Sequence, residues 1–227
     1  MQALSESLQP YKDLVGQTAS IVTIGQFFSG VFVCKDIYKK GSTAGIPATP
    51  FVGGIVIGTL MLQQGILLND PAMLQVNVAA IFLNILYTMF YYVYSPDKVR
   101  DVLKPLGIGA TIVAVFLGYA QIEDPENLEF RYGLIVTVMM LLLLGSPLLQ
   151  VRGILEKKDA SSIPFSLTFM GTLVTFLWLL YGIILMNGFM ILQNVIGFIL
   201  CLVQLILILV YPAREGPNKK ESVKKTD

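Results

Sequence analysis

Seven apolar runs, each about long enough to cross a bilayer, constrain this chain more than any other feature. A spanning helix needs roughly 20 apolar residues. Runs of that kind occupy about 15–34, 46–68, 71–94, 105–122, 132–151, 163–186 and 189–211, and no Asp, Glu, Lys or Arg interrupts them. In lipid, backbone polar groups must be satisfied within the segment, so such runs fold as helices. Composition agrees, with 55% apolar and 14% charged residues, against about 45–50% and about 25% in a soluble domain. The first run has neither a basic leader nor a small-residue cleavage site, so it is expected to remain as a span.

Loop charge orients the bundle, because Lys and Arg gather on the cytosolic side. Lys35, Lys39 and Lys40 follow the first run, Lys98, Arg100 and Lys104 the third, and Arg152, Lys157 and Lys158 the fifth. Arg214, Lys219, Lys220, Lys224 and Lys225 follow the seventh. Lys12 and Arg131 alone fall on the other side, so fourteen of the sixteen basic residues share one face. The N-terminus is therefore expected outside or in a lumen, and the Lys-rich tail in the cytosol. The acidic loop of Glu123, Asp124, Glu126 and Glu129 then lies outside.

Seven helices alone do not separate a carrier from a receptor, and an internal repeat helps to. Shifted by 117 residues, Gly65-Ile66-Leu67-Leu68 falls on Gly182-Ile183-Ile184-Leu185, Asn77-Val78 on Asn194-Val195, Met73 on Met190, and Ser29 on Ser146. Helices 1–3 thus match helices 5–7. Helix 4 is left over as a spacer that makes both copies run the same way. The expected fold is an all-α membrane protein with seven transmembrane helices, two parallel three-helix repeats joined by a linker helix (3+1+3). Its expected parts are an N-terminal segment 1–14, a first repeat 15–96, helix 4 with its loops 97–130, a second repeat 131–212 and the tail 213–227. Parallel repeats related by an axis along the membrane normal place a solute site at their interface near mid-membrane.

The spans also exclude chemistry. Proton relays, voltage sensors and ion pathways use intramembrane charge, and none is present. There is no histidine, so the commonest metal ligand and general base are both missing. No base is placed to activate a nucleophile. Cys34 and Cys201 read as small packing residues. A net charge of +1 supplies no basic field for nucleic acid. The expectation is a protein that is not an enzyme, holds no metal or cofactor, and moves a neutral solute down its gradient.

Four residues stand out as candidates for contact with that solute. Asn77 and Asn194 are repeat mates about six residues into their helices, or roughly 9 Å deep. An unpaired amide in an apolar medium costs about 2–7 kcal/mol, so each must meet a partner or a wet cavity. One Asn alone reads as a hydrogen bond between helices; a matched pair at one depth reads as a site, and an amide suits a polyol because it donates and accepts. Trp178, below the usual interfacial belt, falls on Met61 at the same offset. Position alone leaves open both bundle packing and a ring that faces the solute. Pro147 lies inside helix 5, where a proline kinks the helix. Pro50 and Pro164, with Pro47 nearby, sit near the cytosolic starts of helices 2 and 6, where proline also initiates helices. Gly54 and Gly58 make a small-residue packing face.

From about Ile24 to Tyr211 these residues together resemble the SWEET sugar facilitators, whose halves are known parallel repeats. The second repeat carries Ser146-Pro147, Ser162-Ile163-Pro164-Phe165-Ser166-Leu167, Trp178-Leu179-Leu180-Tyr181-Gly182, Gln193-Asn194 and Tyr211-Pro212. The first carries Gly25, Ser29, Ser42-Thr43, Pro50-Phe51, Gly65, Asn77 and Tyr94-Ser95-Pro96. The resemblance is to animal-type members. It implies passive, bidirectional sugar transport by alternating access, with a pocket containing Asn77, Asn194, Trp178 and Met61. It also implies a cytosolic proline tetrad that bends helices during gating, here Pro50, Pro147 and Pro164, with Gly30 in place of the helix 1 proline. The family's Trp-x-x-Tyr-Gly in helix 2 departs to Gln63-Gln64-Gly65. Family members of this layout often form homo-oligomers, which the residues themselves do not show.

If Trp178 and Met61 face each other across the pseudo-axis, they narrow the cavity and favour a monosaccharide such as glucose. The partners expected are thus a sugar and membrane lipid, in the plasma membrane or in Golgi and other endomembranes. A PQ-loop-type exporter of an amino acid is the alternative. Here, however, Phe51, Leu148 and Phe165 follow the hinge prolines where those proteins have Gln. A seven-helix receptor fits the parallel repeat poorly, and a membrane scaffold is left open.

Overall fold

The computed structural model describes residues 1–143 and 145–212; the Lys-rich tail and the side chain of Ser146 lie outside them. Among the described residues every regular element is helical. Helix α1 spans Gln2–Leu8 and continues through a 3-10 turn, Gln9–Tyr11, into α2 (Lys12–Phe27) and α3 (Ser29–Lys40). Then follow α4 (Thr49–Leu67) and α5 (Pro71–Tyr94), a π-helical turn (Val99–Leu103) and α6 (Lys104–Ile122). The last are α7 (Pro125–Leu143), α8 (Gly145–Lys157), α9 (Phe165–Ile184) and α10 (Gly188–Val210). Seven stretches are long and apolar enough to cross a membrane: 2–40, 49–67, 71–94, 99–122, 125–157, 165–184 and 188–210. The structure thus has the 3+1+3 form. The segment 1–14 is itself helical, and Ser5 and Gln9 donate to the Ile184 carbonyl at the end of α9, at 3.0 and 2.7 Å.

The repeat extends to individual hydrogen bonds. Asp70 caps α5 by accepting from the Met73 amide at 2.8 Å, and Asn187, its mate, caps α10 by accepting from Met190 at 3.0 Å. Such side chains satisfy amides that a helix start leaves unpaired. The preceding turns also match. Asn69 and Met186 have φ of 49° and 54°. The Asp70 and Asn187 amides reach back to the Gly65 and Gly182 carbonyls, at 3.0 Å each. This is the left-handed ending that closes a helix, and Met186 adopts it although only glycine and asparagine do so readily.

Packing follows the same rule. Helix α2 packs on α5 of its own repeat and α9 of the other; α7 packs on α10 and α4. Mated glycines permit close contacts, Gly16 with the other repeat and Gly133 within the second. A Cβ on Gly16 would lie 2.8 Å from the Tyr181 ring, and one on Gly133 2.7 Å from the Phe189 ring. Helices in lipid associate through such close approaches. The leftover α6 packs on α4. Its C-terminal end is tied to α7 by Glu123, which accepts from Tyr119 and from Arg131 at 2.9 and 3.1 Å. The Tyr119 hydroxyl first, then Arg131, holds the Glu123 carboxyl below the usual carboxylate range. This tie therefore persists at neutral pH and is lost only as pH falls through that lowered value.

Helix 1 is broken near its middle. Helix α2 stops at Phe27 and α3 starts at Ser29, with Phe28 as a turn between them. Pro147 lies within the stretch 125–157 that forms the fifth span. The break in helix 1 forms without a proline, and the Tyr87 hydroxyl donates to the Phe27 carbonyl there at 3.1 Å.

Candidate functional site

Between the repeats lies a cavity of about 330 Å³, at the small end of the roughly 300–1,000 Å³ usual for small-molecule sites. Asn77, Asn194, Trp178 and Met61 all line it. None of the described residues lining it is charged.

The two asparagines are held alike. Asn77 Nδ2 donates to the Met73 carbonyl and Asn194 Nδ2 to the Met190 carbonyl, each one turn back on its own helix at 2.8 Å. Neither bond crosses to another helix, so the interhelical role open to a single Asn is not what these amides perform. Each amide oxygen remains an acceptor, and both residues line the cavity.

Trp178 spans the repeat boundary. Its Nε1 donates to Thr23 Oγ1 on α2 at 2.9 Å, and its ring meets Tyr181 edge-on, with centroids 5.7 Å apart. The indole N–H is thereby satisfied, and the ring face remains as apolar wall. Met61 packs with Trp178 against the buried cluster of Ala72, Met73, Tyr181 and Met190.

Asp70 lies outside the seven apolar runs, yet its side chain turns inward. It is buried and accepts from the Tyr181 hydroxyl at 2.7 Å. The bond joins the α4–α5 turn of one repeat to α9 of the other, one helical turn from Trp178.

Gly30, Pro50, Pro147 and Pro164 do not line the cavity. Three of them stand at helix starts: Gly30 in the first turn of α3, Pro50 at the start of α4, and Pro164 as the cap of α9. Above Gly30 lies the Tyr87 ring, tilted on Phe51 at 5.5 Å. Tyr91, beside it, donates to the Ile46 carbonyl at 2.7 Å.

Several polar lining residues were not anticipated from the sequence: Thr23, Gln26, Gln64, Asn84 and Gln193. Asn84 fills the space beside Gly54, where a Cβ would lie 2.6 Å from its amide. Gln193 donates to Thr137 at 2.7 Å. An amide one turn from a flagged residue was the available signal for Gln64, which follows Met61 by three positions.

A family profile described as a sugar efflux transporter for intercellular exchange matches residues 13–99 and again 130–216. Among similar proteins is the sugar transporter SWEET1 of Drosophila pseudoobscura pseudoobscura, 29% identical over 204 residues, or 89% of this chain and 90% of that one. SWEET1 of Caenorhabditis elegans is 30% identical over 92% of this chain and 68% of its own length. The bidirectional sugar transporter SWEET9 of Arabidopsis thaliana is 27% identical over 94% and 86%. A solved eukaryotic SWEET transporter has a similar fold, with a TM-score of 0.80 at 20% identity, over 89% of this chain and 97% of that one.

Proposed function

Because the chain belongs to the SWEET family of sugar efflux transporters, we propose that it carries monosaccharides passively and in both directions by alternating access. Sugar transport rests on the family; the cargo and the mechanism are our reading. The observation that carries it is the uncharged cavity between the repeats, with a matched asparagine pair and an aromatic wall. Two amide acceptors at one depth suit hydroxyls, and the Trp178 face suits the apolar C–H side of a sugar ring. Asn77, Asn194, Trp178 and Met61 are the proposed contacts.

For access from outside, the Asp70–Tyr181 bond between the repeats must open. For access from the cytosol, the aromatic cluster of Phe51, Tyr87 and Tyr91 must part. Gly30, Pro50, Pro147 and Pro164 are the proposed hinges: Gly30, Pro50 and Pro164 mark helix starts where the backbone ladder is already interrupted, and Pro147 removes a backbone donor from the fifth span. We place the N-terminus outside or in a lumen and the C-terminus in the cytosol, in the plasma membrane or an endomembrane. Surrounding lipid and assembly into homo-oligomers belong to the same reading.

Labelled hexose in proteoliposomes tests it. Influx and efflux should follow the sugar gradient alone. Accumulation above equilibrium under an imposed pH gradient would overturn passive transport.

Cargo size is tested separately. A disaccharide has about twice the volume of a hexose and would have to displace Met61 or Trp178. Overpacking costs about 1–3 kcal/mol, a discrimination of roughly 5- to 150-fold. Sucrose should compete poorly with hexose uptake, and Met61→Ala should narrow the difference. Strong direct sucrose transport by the natural protein would refute the size argument.

A further inference from the structure

The two repeats present different residues at the outer end of the cavity. On α9, Trp178 is followed three positions later by Tyr181; on α4, Met61 is followed three positions later by Gln64. Residues at that spacing share a helix face, about 4.5 Å apart along the axis. Tyr181 and Gln64 are repeat mates, as are Asp70 and Asn187. Tyr181 is committed, because its hydroxyl donates to Asp70. The mated pair makes no such bond: the Asn187 Oδ1 accepts from the Met190 amide, and the Gln64 Oε1 has no hydrogen-bond partner. Yet Gln64 is 5% exposed and lines the cavity, as does Asn187. Gly133 stands behind it, with a position for Cβ only 3.3 Å from Nε2, so the amide has a wall at its back.

We propose that Gln64 is a substrate-contacting residue whose amide oxygen accepts one hydroxyl of the bound sugar. This rests on the reading of the cavity as a sugar site. A buried amide oxygen is rarely left unpaired, and the native exceptions call for an explanation. A ring held at the level of Met61, Trp178 and the asparagines brings a hydroxyl within reach of an amide one turn further out. The Tyr–Asp bond consumes the corresponding polar groups on the other side. The sugar is therefore read asymmetrically at its outer edge, although the asparagine pair below is symmetric. Gln64 thus distinguishes one hydroxyl from the rest, as a specificity-determining contact.

The test is uptake of labelled hexose by proteoliposomes, with glucose and its monodeoxy analogues as competitors, for the natural protein, Gln64→Met and Tyr132→Phe. Methionine keeps the side-chain length and removes the amide. Gln64→Met should weaken competition by glucose about two- to tenfold, with the maximal rate per molecule retained. One deoxy analogue should already bind the natural protein that much more weakly, and should lose nothing further in Gln64→Met. Unchanged competition, or an equal added loss for every analogue, would overturn the contact. So would the same profile in Tyr132→Phe, because the Tyr132 hydroxyl is also unpartnered and would then be what Gln64 serves in another conformation. Absence of any sugar uptake by the natural protein would remove the sugar reading itself, whereas normal uptake indifferent to Gln64 removes this contact alone.

Discussion

Alanine at Asn77 or Asn194 should weaken sugar binding by roughly threefold to a hundredfold, one or two hydrogen bonds at about 0.5–1.5 kcal/mol each. The two variants should resemble one another, because each amide is tethered in the same way to the carbonyl one turn back. They should not add in the double variant, since both would touch one ligand. Little loss of fold is expected, as neither bond joins two helices. Affinities from uptake competition, normalised to surface protein, check this. Normal transport by both single variants would reduce the asparagines to cavity lining.

Proline at position 30 should abolish transport, although proline is what the family resemblance would put there. The backbone would accept it: Gly30 is in the first turn of α3, where an amide is unpaired in any case. The space would not. A Cβ at Gly30 falls 2.3 Å from Tyr87 Cε2. The ring is pinned by its bond to the Phe27 carbonyl and its packing on Phe51. Overpacking costs about 1–3 kcal/mol, and loss of that bond about 0.5–1.5 more. Gly30→Ala should be impaired for the same reason. Tyr87→Leu should rescue both by vacating the space, in surface yield and uptake. Full activity of Gly30→Pro alone would show that Tyr87 moves aside at no cost. The missing proline thus has a steric counterpart in this chain: the tyrosine that seals the break in helix 1 occupies its place.

The seven spans were legible because bilayer thickness sets their length, and 71–94 coincides with α5. The repeat was legible wherever mates are identical, as for Asn77 with Asn194 and Gly65 with Gly182. Where mates differ and neither stands out by residue type, the same comparison was blind. Gln26 falls on Leu143, Asn84 on Cys201 and Gln193 on Val76, so none was flagged, although each lines the cavity. Depth can be counted along a helix, but the face a side chain takes is decided by neighbours that the linear pattern does not name. Asp70 was passed over because it lies just beyond an apolar run. Its inward turn depends on Tyr181, a residue 111 positions away. The break in helix 1 was hidden for a related reason, since a tyrosine on α5 holds it in the absence of a proline.

The sequence contains a single tryptophan, and it sits in the cavity wall with its ring nitrogen bonded to a hydroxyl from the opposite repeat. Indole emission from this protein is therefore emission from one known place. Its wavelength registers whether the ring is wet or covered, and its intensity follows the bond to Thr23 as the halves separate. Occupancy and opening can thus be followed optically in the unlabelled molecule, without a dye or an engineered reporter.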